Sequence, residues 1–459
     1  MANDANDTLR TKGSTGVVRS IRSARVVERS RLRQEHELEE KFNNLLVRGS
    51  SGVLSKTAGN VGLVLLHHPQ WRGTLGFDEL QQAQVWRRPP PVVSGFSQIP
   101  LGPVEDSHTA LVGHWLELNY GLNASSEVVE RGIALAAKEG SFHSIQEWLD
   151  TLEWDHVGRL DSLLIDCAGA EDSEYVRAVT SQMFIGGVAR VRKPGSKLDT
   201  MVVLEGAQGI GKSSFLQALV SAEWFDDHLP NVRDKEAPRH LVGRWLVEVA
   251  ELESIKGAES SLVKSFLSRG MDRWRPPYAV REITVPRSCF FVGTTNSEQY
   301  LIDSTGGRRF LPVRLTRKID LDYVARNRSQ LWAEADYGFK NGESWHLDPE
   351  LVLAAAVEQD ERFISDPREE ELEEFLRSRD QVTIRQCYVA LQMDELGLKR
   401  WDGKRMAEIL RRCGFAKRRG SEEGGQRKWV YQRIVPRNAL PLDAGAEVPT
   451  ATNSRGEGA

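Results

Sequence analysis

Residues 206–213 read GAQGIGKS, a match to the pattern G-x-x-x-x-G-K-[ST]. Its surroundings suit a phosphate grip. The apolar run MVVLE (201–205) precedes it as a short buried strand, and a helix-forming run from Lys212 to Val220 follows. Gly206, Gly209 and Gly211 free the backbone to turn its N–H groups toward phosphate oxygens, and the following helix adds positive potential at its N-terminus. Lys212 is the candidate for the outer phosphates. Ser213 is the candidate hydroxyl ligand of Mg²⁺, with Ser214 beside it. This loop decides the fold class: an α/β domain with a strand feeding a phosphate loop and a helix.

Working outward, RWLVEVAELE (244–253) predicts a second strand bearing Glu248, Glu251 and Glu253. Hydrolysis needs one acid near the metal and one to polarise water. Strand alternation sets Glu248 and Glu251 on opposite faces. Glu251, at the apparent strand end, is the first choice for the Mg²⁺-side catalytic acid and Glu248 the second; solvated strand-end glutamates are the alternative. A third strand, RSCFFVGTTN (287–296), ends in Thr294, Thr295 and Asn296. Asn296 is the candidate to touch a γ-phosphate or orient water, against a turn-capping role. Arg308 and Arg309, in DSTGGRRFLPVRL, follow a Gly-Gly hinge and precede an apolar strand. Either suits an arginine finger reaching a neighbouring subunit's nucleotide, and a surface ion pair is the competing reading. Between the acids and Asn296, MDRWRPPYAVREITVPRS (271–288) mixes Arg273, Arg275, Arg281 and Arg287 with Trp274 and Tyr278. That mixture suits DNA, or an ordinary exposed hairpin.

The 459-residue chain carries a net charge of −4, so any nucleic-acid contact must come from local patches. Its four cysteines form no C-x-x-C pair, which speaks against a metal cluster or disulfide framework and for a reducing compartment. No apolar run approaches the ~18 residues of a membrane span, and no secretory leader is expected. Residues 1–50 form an Arg-rich arm, read as disordered or as a nucleic-acid arm, with one amphipathic helix at 35–47. Residues 51–190 are expected to be mostly helical, with NVGLVLLHH (60–68) a strand or a buried helix turn. Residues 191–335 hold the α/β core. In 365–435 three helices and a hairpin follow one another in the order of a winged helix. Lys417, Arg418 and Arg419 on its wing are DNA-binding candidates, against a protein-contact module. Residues 436–459 are expected to be a disordered tail.

The order of grip, acidic strand, basic hairpin, polar strand end and arginines resembles superfamily 3 helicases. The stretch from about Trp154 to Leu315 resembles the virulence-associated protein E family more closely. The resemblance rests on WDHVGRL (154–160), VARVRKPGSKLDTMVVLEGAQGIGKS (188–213), WLVEVAEL (245–252), DRWRPPY (272–278), FVGTTN (291–296) and GGRRFLPV (306–313). It implies an AAA+-like P-loop ATPase of a phage or mobile element, acting in the bacterial cytoplasm. It also implies a homo-oligomeric ring on DNA, with ATP and Mg²⁺, and a replication role beside a separate primase. Family members often carry a primase-like domain upstream; here no obvious cluster of metal-binding acids precedes WDHVGRL. Primase activity is therefore not expected of this chain, and the motif order and basic hairpin lead to the expectation of a helicase or initiator. The alternative is a regulatory or defence ATPase that uses nucleotide as an assembly switch. A small-molecule kinase is disfavoured, since no substrate lid or acceptor base is evident.

Overall fold

The computed structural model describes residues 42–252, 258–276, 281–301, 307–364, 368–393, 400–421 and 427–434. Most of the Arg-rich arm and the tail lie outside them. Of the expected helix at 35–47, residues 42–47 are described; 42–45 are helical, with Phe42 buried, and 46–47 lie past the helix end.

The N-terminal region combines the expected helices with a small sheet. Helix α1 (Ala58–His67) starts where the Thr57 hydroxyl accepts the Asn60 N–H, which settles the NVGLVLLHH run as helix. Strands β1 (Leu75–Asp78), β2 (Ala83–Trp86) and β3 (Gly102–Pro103), helices α2 (Asp106–Tyr120) and α3 (Ser126–Glu139), and strand β4 (Ser141–Phe142) follow. The four strands form one sheet in the order β3-β2-β1-β4. Trp71, Trp86 and Trp115 are buried in its core. Strands of two to four residues leave too few alternations for a period of two to be seen in sequence.

Helices α4 (Ser144–Asp150), α5 (Leu163–Ala168) and α6 (Glu174–Arg192) precede the central sheet and pack on it, so the core reaches further back than residue 191. The sheet contains β5 (Met201–Glu205), then, after α7 (Lys212–Val220), β6 (Phe225–Asp226). Helix α8 (Ala237–His240) leads to β7 (Leu246–Val249), and α9 (Ala258–Leu267) leads to a separate hairpin, β8 (Met271–Trp274) and β9 (Ile283–Pro286). Strand β10 (Phe290–Thr295) and strand β11 (Phe310–Arg314) complete the sheet, and α10 (Leu321–Lys340) covers it. The order is β11-β5-β10-β7-β6, with every pairing parallel.

Both faces of this sheet are buried. Val202 and Leu204 join the core beneath α6, α7 and α10, while Met201 and Val203 join the core against α9. The same alternation places Leu246 of β7, and Phe290 and Val292 of β10, on the α7 side. Glu248 and Thr294 therefore face α7. Close packing on that side depends on Gly187 of α6: a Cβ there would meet the Phe290 ring at 2.9 Å.

Helix α11 (Pro349–Glu361) leads to a C-terminal module of α12 (Arg368–Arg377), β12 (Gln381–Val382), α13 (Ile384–Ala390), α14 (Arg400–Arg412), β13 (Phe415–Ser421) and β14 (Arg427–Arg433). The three expected helices and the hairpin are present. A short strand, β12, joins them and pairs with β14. No helix among the described residues is long and apolar enough to cross a membrane.

Candidate active site

The loop 206–211 runs from the carboxyl end of β5 to the first residue of α7. Gly206 has φ 153°, and a Cβ there would lie 2.9 Å from the Leu315 carbonyl. Gly211, at φ 100°, is the left-handed N-cap of α7. Ala207, Gln208 and Gly209 are exposed, so the turn at the helix N-terminus is open to a ligand. Lys212 is buried, and its Nζ donates to the carbonyls of Gly206 (2.7 Å) and Ala207 (3.1 Å) and to Asn296 Oδ1 (2.7 Å). Asn296 reaches it because β10 pairs in register with β5, Thr295 opposite Glu205, which brings the next residue beside Gly206.

Glu248 is 1% exposed. Its Oε1 accepts the Ser213 hydroxyl at 2.8 Å and the Thr294 hydroxyl at 2.6 Å. Its Oε2 is buried and has no hydrogen-bond partner. A buried carboxylate oxygen without a partner is costly, and a divalent cation is the natural group to meet it. Ser213 and Glu248 therefore fit Mg²⁺. The geometry places the second-choice acid, not the first, beside the candidate metal-binding hydroxyl. Strand β7 stops at Val249, and Glu251 sits beyond it, exposed, in a left-handed turn at φ 51°. The Ser213 hydroxyl meets Glu248 instead. Glu253 lies outside the described residues. Ser214 is exposed in the first turn of α7.

One buried cluster is not foreseen from sequence. Glu205, the residue before the loop, is bonded by the Arg362 guanidinium at 2.9 and 3.2 Å and by the Tyr300 hydroxyl at 2.8 Å. Burial, then the Glu205 carboxylate, pushes the Tyr300 phenol far above its ordinary range. The base of the grip is thus tied to the segment after Asn296 and to the end of α11. A lone strand-end glutamate gives no hint of a partner 157 residues away.

Arg308 and Arg309 lie in a 3₁₀ turn, Gly307–Arg309, ahead of β11. Phe310 pairs with Met201, the first residue of β5, whereas the grip follows the last. The arginines therefore stand at the opposite end of the sheet from Lys212, roughly 15 Å away along five residues of strand. Arg308 is exposed; Arg309 is half-buried and its Nε donates to Ser268 Oγ at 3.3 Å.

The basic hairpin needs a correction. Arg287 is 2% exposed and clamps Asp272 through two bonds of 2.5 and 2.7 Å, and it also donates to the Phe266 carbonyl. It anchors the hairpin base and cannot follow a DNA backbone. Trp274 is buried as well. Arg273, Arg275 and Arg281 are exposed, with Arg273 paired to Glu282 at 2.8 Å. Tyr278 lies outside the described residues. Arg287→Ala is expected to destabilise the protein by about 3–5 kcal/mol, since it strands a buried Asp272. Arg281→Ala should stay within about 0.5 kcal/mol. Thermal or urea unfolding of the two variants checks the contrast, and equal effects would refute it. Lys417, Arg418 and Arg419 are exposed on β13.

Residues 149–364, a little under half of the chain, match the model of the Virulence-associated protein E-like domain. Among curated proteins none matches the chain. Of solved structures, the apo structure of the NrS-1 C terminal region (305–718) is 11% identical, with a TM-score of 0.41 over 79% of this chain and 96% of that one. The A form of the same region is 12% identical, with a TM-score of 0.40 over 79% and 96%.

Proposed function

We propose that the chain is an ATP-dependent DNA helicase or replication initiator of a phage or mobile element, with an AAA+-like P-loop core. It works as a homo-oligomeric ring in the bacterial cytoplasm, beside a separate primase. The observation that carries the reading is the convergence at the carboxyl ends of three adjacent strands. Lys212 meets Asn296 there, and Ser213 meets Glu248 and Thr294. The strand that ends in Thr294, Thr295 and Asn296 lies between the grip strand and the acid strand, which suits ATP hydrolysis.

In this reading Gly206, Gly209, Gly211 and Ser214 line the nucleotide phosphates and Lys212 neutralises the outer ones. Ser213 and Glu248 would hold Mg²⁺, which when bound would shield the charge of the phosphates. Asn296 orients the terminal phosphate or the attacking water. Glu251, exposed at the rim, accepts the proton of that water. Arg308 completes a neighbour's site. The C-terminal module is a winged helix. Its wing, with Lys417, Arg418 and Arg419, joins Arg273, Arg275 and Arg281 of the hairpin in contacting DNA.

The test is ATP turnover with and without single-stranded DNA, alongside strand displacement. Stimulation by DNA together with unwinding is expected; turnover indifferent to DNA, without unwinding, would sink the motor. One observation favours a second reading, a nucleotide-driven assembly switch. Arg273 and Arg287 are engaged by acids of the same hairpin. Neutralising Arg273, Arg275 and Arg281 together abolishes DNA-stimulated turnover in a motor and leaves a switch unaffected.

A further inference from the structure

Strands β13 and β14 pair antiparallel from Phe415↔Arg433 to Ser421↔Arg427. Arg419 stands directly across from Trp429, with Lys417 one diagonal away on the same face. The next residues of β14, Val430 and Tyr431, are 1% and 2% exposed, but Trp429 is 55% exposed. The Lys417 ammonium lies 4.6 Å from the centre of the indole and the Arg419 guanidinium 5.3 Å.

A cross-strand cation and ring hold a hairpin together, and that contribution is about 0.5–1 kcal/mol at an exposed site. It does not explain three successive cations. Lys417, Arg418 and Arg419 repel one another, and among the described residues no carboxylate pairs with them. Such a strip is stabilised by an anion from outside. An exposed aromatic ring inside the strip adds a second preference. It offers a flat apolar face to a planar group that travels with phosphate.

We infer that this face of β13–β14 binds single-stranded nucleic acid, one base stacking on Trp429 while Lys417 and Arg419 meet the flanking phosphates. The inference rests on the nucleic-acid reading above and names the form of nucleic acid at this surface. Paired bases are already stacked and hidden within a duplex, so the ring discriminates for unpaired ones. Arg418, on the alternate position, adds charge without a ring.

The experiment uses the full chain and fluorescently labelled oligo(dT), with a blunt duplex of equal length as the second probe. Trp429→Ala is expected to weaken oligo(dT) binding roughly tenfold or more, the range of one stacked base. Trp429→Phe keeps a ring and should bind within about threefold of the parent. Duplex affinity and DNA-free ATP turnover should be unchanged in both. The Lys417→Ala/Arg419→Ala double variant should lower the slope of log affinity against log salt by about 0.7 per lost phosphate contact. Oligo(dT) binding by Trp429→Ala equal to the parent overturns the inference, as does an equal loss on the duplex; the motor reading survives either result. Failure of the parent chain to bind either probe overturns both.

Discussion

Arg308→Ala is expected to lower ATP turnover about 10³-fold while leaving nucleotide affinity nearly intact, the behaviour of an arginine that acts on transition-state charge. The argument comes from position. Arg308 precedes β11 at the end of the sheet where β5 begins, whereas the grip lies where β5 ends. An arginine side chain spans about half of the roughly 15 Å between them. It therefore cannot reach a phosphate held by its own Lys212, and in the proposed ring a neighbouring subunit would bring the nucleotide to it. Arg309 is the weaker candidate because its Nε is committed to Ser268 of α9's C-terminal turn. Arg309→Ala should cost about tenfold or less by loosening that turn. The decisive measurement is complementation. Lys212→Ala subunits retain Arg308, and Arg308→Ala subunits retain the grip. Co-expressed in equal amounts, they restore a complete site at about one interface in four if assembly is head-to-tail and random. Turnover near a quarter of the parent's is expected. Turnover no greater than the sum of the separate variants removes the trans arginine, and rescue by Arg309→Ala instead reassigns it.

The grip was legible because its demands are local. Three glycines, a lysine and a serine must follow one another directly, and helix α7 begins at Lys212 as the pattern requires. Strand β10 and Asn296 were legible for the same reason, as an apolar run ending in polar residues. The choice between Glu248 and Glu251 was not. Alternation separates the two faces of β7, but Leu246 and Val247 are equally apolar because helices cover both faces. With no polar side, the pattern cannot say which face looks toward α7. Only the packing of α7 against the sheet, which brings Ser213 over Glu248, favours one of them. Arg287 fails for a related reason. Its guanidinium belongs to Asp272 on the neighbouring strand, and that pairing depends on hairpin register rather than on composition. A run of arginines in sequence does not distinguish an anchor from a contact.

Glu248→Gln separates a metal-side carboxylate from a merely structural one. If Glu248 only fixes Ser213 and Thr294, glutamine suffices, because its amide oxygen can accept the same two hydroxyls at 2.8 and 2.6 Å. Stability should then be nearly unchanged, since the substitution removes a buried charge but leaves the amide N–H₂ in the place of an oxygen that lacked a partner. If the carboxylate draws a divalent cation to the Ser213 hydroxyl, the same substitution removes the charge that holds it. Turnover should fall roughly 10²–10³-fold, the scale for losing one preorganised electrostatic group at a reacting phosphate or oxyanion. The Mg²⁺ concentration for half-maximal turnover should move upward. Glu251→Gln should differ. That residue is exposed and two positions beyond β7, so its loss should depress turnover without shifting the Mg²⁺ dependence. Magnesium titrations of turnover, with thermal unfolding measured on the same preparations, distinguish the cases. An unchanged Mg²⁺ dependence in Glu248→Gln, or a shift confined to Glu251→Gln, would return the metal to Glu251 and leave Glu248 as a brace between α7 and β10.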